Sequence, residues 1–87
     1  MKKITYYDSK NLIHARLRHY RKLRGLSQAQ VAARLQTMNV NIDQQMLSRI
    51  ENNDRIVTDY ELACLCRVLH VTERELLADF YEEHPEE

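Results

Sequence analysis

Apolar residues recur in this chain at intervals of three and four, and the polar stretches between them are short. This predicts a string of amphipathic helices and little else. Ile13, Leu17 and Tyr20, with Leu12 beside them, mark one face of a first helix beginning near Asp8 or Ser9. Val31, Ala32 and Leu35 mark a second from Gln28 to about Met38, and Leu47 and Ile50 a third from about Gln44 to Asn52. Leu62, Leu65 and Leu69 place a fourth over Asp59 to Leu69, and Leu76 and Leu77 a fifth from Glu73 to about Tyr81. With Leu26, Ile42 and Val71 these residues, Leu12 excepted, form the expected core, in which Ala32 leaves room for a close approach of the second and third helices.

The helix starts are written in the polar residues. Ser27-Gln28-Ala29-Gln30, Thr58-Asp59-Tyr60-Glu61 and Thr72-Glu73-Arg74-Glu75 are capping boxes, in which the hydroxyl accepts from the third helical amide and the Gln or Glu reaches back to the N–H of the cap. Each is bracketed by an apolar staple: Leu26 with Val31, Val57 with Leu62, Val71 with Leu76. Asp43 is a further N-cap between Ile42 and Leu47, although Met46 leaves its box incomplete. Gly25, the only glycine, follows Arg24 where a left-handed residue ends the first helix; Asn39 is placed to end the second, and Asn52-Asn53-Asp54 is turn chemistry. Ile4-Thr5-Tyr6-Tyr7 is β-prone and suits an extended arm. The expected organisation is all-α: an N-terminal arm over 1–9, a compact five-helix domain over 10–81, and an acidic, disordered tail over 82–87.

At 87 residues the chain has room for one small core. Its apolar runs are brief, as where Arg67 ends Cys64-Leu65-Cys66, so no membrane span is expected. No apolar segment follows the basic N-terminus, so the expected location is the cytoplasm. Cys64 and Cys66 are spaced neither as a disulfide framework nor as a metal-binding Cys-x-x-Cys, and His14, His19, His70 and His84 share no ligand spacing with them. Neither metal nor cofactor is expected. There is no Gly-rich phosphate loop and no nucleophile with a paired base, and the conspicuous hydroxyls are caps, so the chain is not expected to be an enzyme. No small-molecule ligand is implied.

Charge changes the picture through its distribution. The formal net charge is zero, yet residues 1–34 carry nine Lys and Arg against Asp8 alone, while residues 72–87 carry seven acidic groups against Arg74. A basic front half suits a polyanionic partner despite the neutral total. The third helix then offers Gln44 and Gln45 in its first turn and Arg49 one turn later. Glutamine can bond adenine through N6 and N7 and arginine can bond guanine through O6 and N7, so this face is suited to reading base edges in a DNA major groove.

In order along the chain, Ile13-x-x-x-Leu17-Arg18-x-x-Arg21, Gly25-Leu26-Ser27-Gln28, Leu47-Ser48-Arg49-Ile50-Glu51 and Val68-Leu69-His70-Val71-Thr72-x-x-x-Leu76-Leu77 resemble the Cro/C1-type helix-turn-helix domain, or XRE family, of phage repressors and bacterial regulators. The resemblance implies a lambda-repressor-like fold with the helix-turn-helix at helices two and three. It implies base reading by Gln44, Gln45 and Arg49, and phosphate contacts by Gln28, Ser48, Arg18, Arg55, Thr58 and Lys10, with Arg21 and Glu51 as a structural ion pair. Two departures stand out. The connection from Gln36 to Ile42 is longer than the family's usual turn, an arrangement similar to POU-specific domains, and Asp54 sits where the family often has basic residues. The implied function is that of a sequence-specific DNA-binding regulator, a repressor, on double-stranded DNA. A single short recognition helix reads few base pairs, so a homodimer on half-sites about one helical turn apart is expected, with Leu77, Phe80 and Tyr81 as candidate interface residues. Two alternatives stay open: an antitoxin that binds its own operator and a toxin protein, and a protein-binding adaptor that has lost DNA.

Overall fold

Three hydroxyl caps and one carboxylate set the starts of four helices. Ser27, Thr58 and Thr72 each accept from the backbone N–H three residues on, and Gln30, Glu61 and Glu75 close the boxes. Asp43 accepts from the Met46 N–H at 2.8 Å. In the computed structural model, which describes residues 5–86, the elements are α1 (His14–Leu23), α2 (Gln28–Thr37), α3 (Gln44–Glu51), α4 (Asp59–Leu69), α5 (Glu73–Leu76) and α6 (Ala78–Glu83). Met1, Lys2, Lys3 and Ile4 of the expected arm, and Glu87 of the tail, lie outside the described residues. No strand forms among the described residues; the one bridge joins Tyr6 and Ser9.

The first helix starts later than its periodicity predicts. Tyr6 and Ser9 exchange backbone hydrogen bonds of 2.8 and 2.9 Å, closing a turn with Tyr7 and Asp8 in the left-handed region. Asn11 is then buried with its amide donating to the Ile50 and Arg55 carbonyls, both at 2.9 Å, while its Oδ1 accepts from the Ile13 N–H. A helix through Asn11 would forfeit those three bonds. The expected fifth helix divides at Leu77 into α5 and α6, giving six helices among the described residues where five were expected. Leu76 is fully buried, whereas α6 buries no residue and is held from the side, with Arg16 of α1 3.0 Å from Asp79 and 3.6 Å from Glu82. Glu82 and Glu83, placed by the sequence in the acidic tail, are the last residues of α6.

Left-handed residues follow the ends of the first four helices. Gly25 (φ 68°) lets its own N–H reach the Lys22 carbonyl and the Leu26 N–H reach Arg21. Asn39, Asn53 and His70 do the same after α2, α3 and α4, with φ of 62°, 60° and 54°. No atom lies within 4 Å of where a Cβ at Gly25 would sit, so Gly25→Ala tests the backbone alone. It is expected to cost about 1–2 kcal/mol, read as a melting temperature lowered by about 4–8 °C for each kcal/mol. An unchanged melt would show that this turn does not need its glycine.

The core consists of Leu17, Val31, Leu35, Ile42, Leu47, Ile50, Leu65, Leu69 and Leu76, all fully buried, with Ile13 and Ala32 nearly so. Val40, Cys66 and Val68 join it, although the periodicity did not select them. Tyr20, Leu26, Leu62, Val71 and Leu77, expected in the core, are only partly buried at its margin. Burial, with Glu73 and Glu75 nearby, pushes the Cys66 thiol up to about 11, so it is not a reactive thiolate at neutral pH. Among the described residues, no helix is long and apolar enough to cross a membrane.

Candidate nucleic-acid interface

The eight residues of α3 divide into two faces. Leu47, Ile50 and Glu51 are buried, with Met46 partly so, whereas Gln44, Gln45 and Arg49 are exposed and Ser48 is half-buried. Gln44, Gln45, Ser48, Arg49 and the following Asn52 fall at the i, i+1, i+4, i+5 and i+8 positions of one stripe. Among the described residues, the side chains of Gln44, Gln45 and Arg49 make no hydrogen bond or ion pair. Their side-chain donors and acceptors are therefore left to solvent among the described residues.

The neighbouring arginines are engaged inside the chain. Arg21 donates through Nε to Glu51 Oε2 at 2.6 Å and through Nη2 to Oε1 at 2.9 Å, while its Nη1 holds the Leu26 carbonyl at 2.9 Å. One guanidinium thus ties α1, the turn before α2, and α3. Arg18 lies 3.5 Å from Glu51 Oε1 and donates to Asn52 Oδ1 at 2.9 Å, capping the C-terminal end of α3. Arg24 holds the Leu69 and His70 carbonyls at the end of α4. Among the described cations of the front half, Arg16, Arg18, Arg21 and Arg24 are thus engaged by groups of the chain itself.

Glu51 is the hub, with a side chain wholly buried. Burial pushes its carboxyl up, but bonds from Arg21, Gln28 and Arg18 together with the Arg21 charge outweigh this, leaving it below the ordinary glutamate value. Gln28, the first residue of α2, donates its Nε2 to Glu51 Oε1 at 3.2 Å. That bond fixes the amide at the helix N-terminus and leaves its second N–H available. In the first turn the Gln30 N–H is taken by Ser27 Oγ, and the Gln28 and Ala29 N–H groups remain at the helix N-terminus, an end that favours negative charge.

Other sequence-selected residues are drawn elsewhere. Arg55 forms a bidentate pair with Glu61 at 3.1 and 3.0 Å and also donates to the Ile56 carbonyl, so its guanidinium braces the loop before α4 instead of extending from it. Glu61 answers both Arg55 and the Thr58 N–H, and it too lies below the ordinary value because these partners outweigh its burial. Thr58 Oγ1 is committed as the cap of α4. The Lys10 ammonium is exposed, 3.7 Å from Asp54. Phe80 packs with Tyr6 and His84 at ring separations of 6.1 and 5.1 Å, and Arg74 lies 4.3 Å over the Tyr81 ring.

Two residues escaped the sequence reading. Asn52 lies on the α3 stripe one turn beyond Ser48, a position its spacing gave away. Asn11 fastens the end of α3 and the Arg55 carbonyl to the N-terminal segment, and no local pattern marks it. The connector between α2 and α3 is pinned at two points, since Val40 and Ile42 are both buried, so α3 is held firmly despite the added length. A family model described as helix-turn-helix matches residues 17–76, spanning all of α2, α3 and α4. No curated protein matches the chain.

Proposed function

Because the chain belongs to the Cro/C1-type helix-turn-helix family and is a DNA-binding regulator of that type, we propose that it binds a specific operator as a homodimer and acts as a repressor, reading the major groove with α3. In this reading Gln44, Gln45 and Arg49 bond base edges. The Gln28 amide and the first-turn N–H groups of α2 clamp a phosphate, and Ser48 contacts the adjoining backbone. Arg18 and Arg55 act indirectly, by holding the ends of the recognition unit.

The observation that carries the proposal is the contrast around α3. Arg18, Arg21, Arg24 and Arg55 are spent on protein partners, while Gln44, Gln45 and Arg49 share one exposed stripe with none among the described residues. The rigid scaffold behind that stripe suits precise hydrogen bonding more than general charge attraction. Selection from a random duplex library at two salt concentrations tests it. The expected result is a palindrome recovered at both, with affinity falling as salt rises by the number of phosphates neutralised. Failure to enrich any sequence would remove the specific regulator and favour a protein-binding adaptor.

A further inference from the structure

Tyr6 and Tyr7, in the turn before α1, meet Phe80 and His84 from the other end of the chain. Ring separations in this cluster are 4.7 Å from Tyr6 to Tyr7, 5.1 Å from Phe80 to His84, 5.9 Å from Tyr7 to His84 and 6.1 Å from Tyr6 to Phe80. Packing does not use the rings up: Tyr6 is 45% and Tyr7 79% exposed, His84 is exposed and Phe80 half-buried. All four line a cavity of about 340 Å³ between that turn and α6, a volume within the range of small-molecule sites. Asp79 and Glu83 line it too, no Lys or Arg side chain does, and His14 is the remaining titratable group there. Arg16 takes Asp79 Oδ1 at 3.0 Å from outside the lining, whereas the Glu83 carboxylate has no hydrogen-bond or ion-pair partner among the described residues.

We propose that this cavity binds a small methylated ammonium compound, its cationic head against the rings of Tyr6, Tyr7, Phe80 and His84 and its charge answered by Glu83 and Asp79. Aromatic faces are electron-rich and attract a cation, most effectively one that gives up its water easily, as a methylated ammonium does. A metal ion needs several oxygen or nitrogen ligands to replace its water, and among the described residues no group of three His, Cys, Asp or Glu is placed to hold one. An anion would meet two carboxylates, and a neutral ligand would gain nothing from either. The rings come from opposite ends of the chain, so no single stretch of sequence announced the site. Phe80 then serves a ligand in place of the subunit contact that the sequence suggested. No residue of α3 lines the cavity, so the proposal does not rest on the DNA reading.

Proton NMR titration of the full chain tests this with choline, tetramethylammonium and dimethylbutanol, the uncharged carbon isostere of choline. Both cations are expected to saturate at millimolar concentration, shifting tyrosine, phenylalanine and histidine ring signals, and the isostere to bind about tenfold more weakly. Tyr7→Leu and Glu83→Gln should each weaken choline about two- to fivefold, while Tyr7→Phe, which keeps the ring, should bind as wild type does. Tyr7 and Glu83 are both exposed, so helical circular dichroism should be unchanged and a lost site cannot be put down to a lost fold. Equal binding of choline and its isostere overturns the proposal, because charge then plays no part. So does choline affinity that neither Tyr7→Leu nor Glu83→Gln changes, or a failure of both cations to saturate.

Discussion

Glu51→Ala is expected to be the most damaging single polar substitution in this protein, lowering stability by about 3–5 kcal/mol, the cost of stranding one partner of a buried ion pair. The carboxylate is wholly buried and serves Arg21, Gln28 and Arg18 together, so its loss strands a guanidinium that is only 12% exposed. Domains of this size hold about 5–15 kcal/mol in all, so the variant would melt some 15–30 °C lower. Chemical denaturation of Glu51→Ala beside Arg21→Met/Glu51→Met checks the cause. The double variant should recover part of the loss, because it leaves no unpaired Arg21 charge, and a double variant as weak as the sum of its parts would argue against the pair.

Acid should reproduce part of this effect. Glu51 and Glu61 are both held below the ordinary glutamate value, so their contribution is fully present above the unfolded value and is lost as pH falls through the lower folded values. Thermal melts should therefore be level from neutral pH down to the ordinary carboxylate range and fall steeply beneath it. Glu51→Gln should flatten that fall.

The second large effect is on DNA. Arg49→Ala and Gln44→Ala should each weaken binding to a selected operator by about 1–3 kcal/mol, the value of a bidentate base contact, or roughly ten- to hundredfold. Binding to unrelated duplex should change far less. Both residues are exposed and unpartnered among the described residues, so neither change should alter the melt. Equilibrium titrations of cognate and scrambled duplexes would separate the outcomes. An equal loss on both would make α3 a phosphate binder and end the base-reading assignment.

The helix starts were legible because capping is local: Ser27, Asp43, Thr58 and Thr72 each satisfy an amide three residues away, and the side chain that does so is in the sequence beside it. Gly25 and Asn39 announced the ends of α1 and α2 for the same reason. The exposed stripe of α3 followed from a period and a cap. Where the sequence misled, the deciding partner was distant. Asn11 ended the N-terminal reach of α1 by bonding the Ile50 and Arg55 carbonyls, about forty positions away, and Arg16 drew α6 aside through Asp79, sixty-three positions away.

Charge shows the same division. The sequence determined that cations crowd the front half and acids the rear, but each arginine can swing through many rotamers, and its partner depends on which helices meet. Only the tertiary structure turned Arg55 onto Glu61 and Arg18 onto the end of α3, and left Arg49 without a partner among the described residues. What one turn of backbone can decide, the sequence by itself determined: the helices, their caps and the polar face of α3. What depends on bringing remote groups within hydrogen-bonding distance was decided only by packing: the true start of α1, the break at Leu77, and which charged side chains remain available to a ligand.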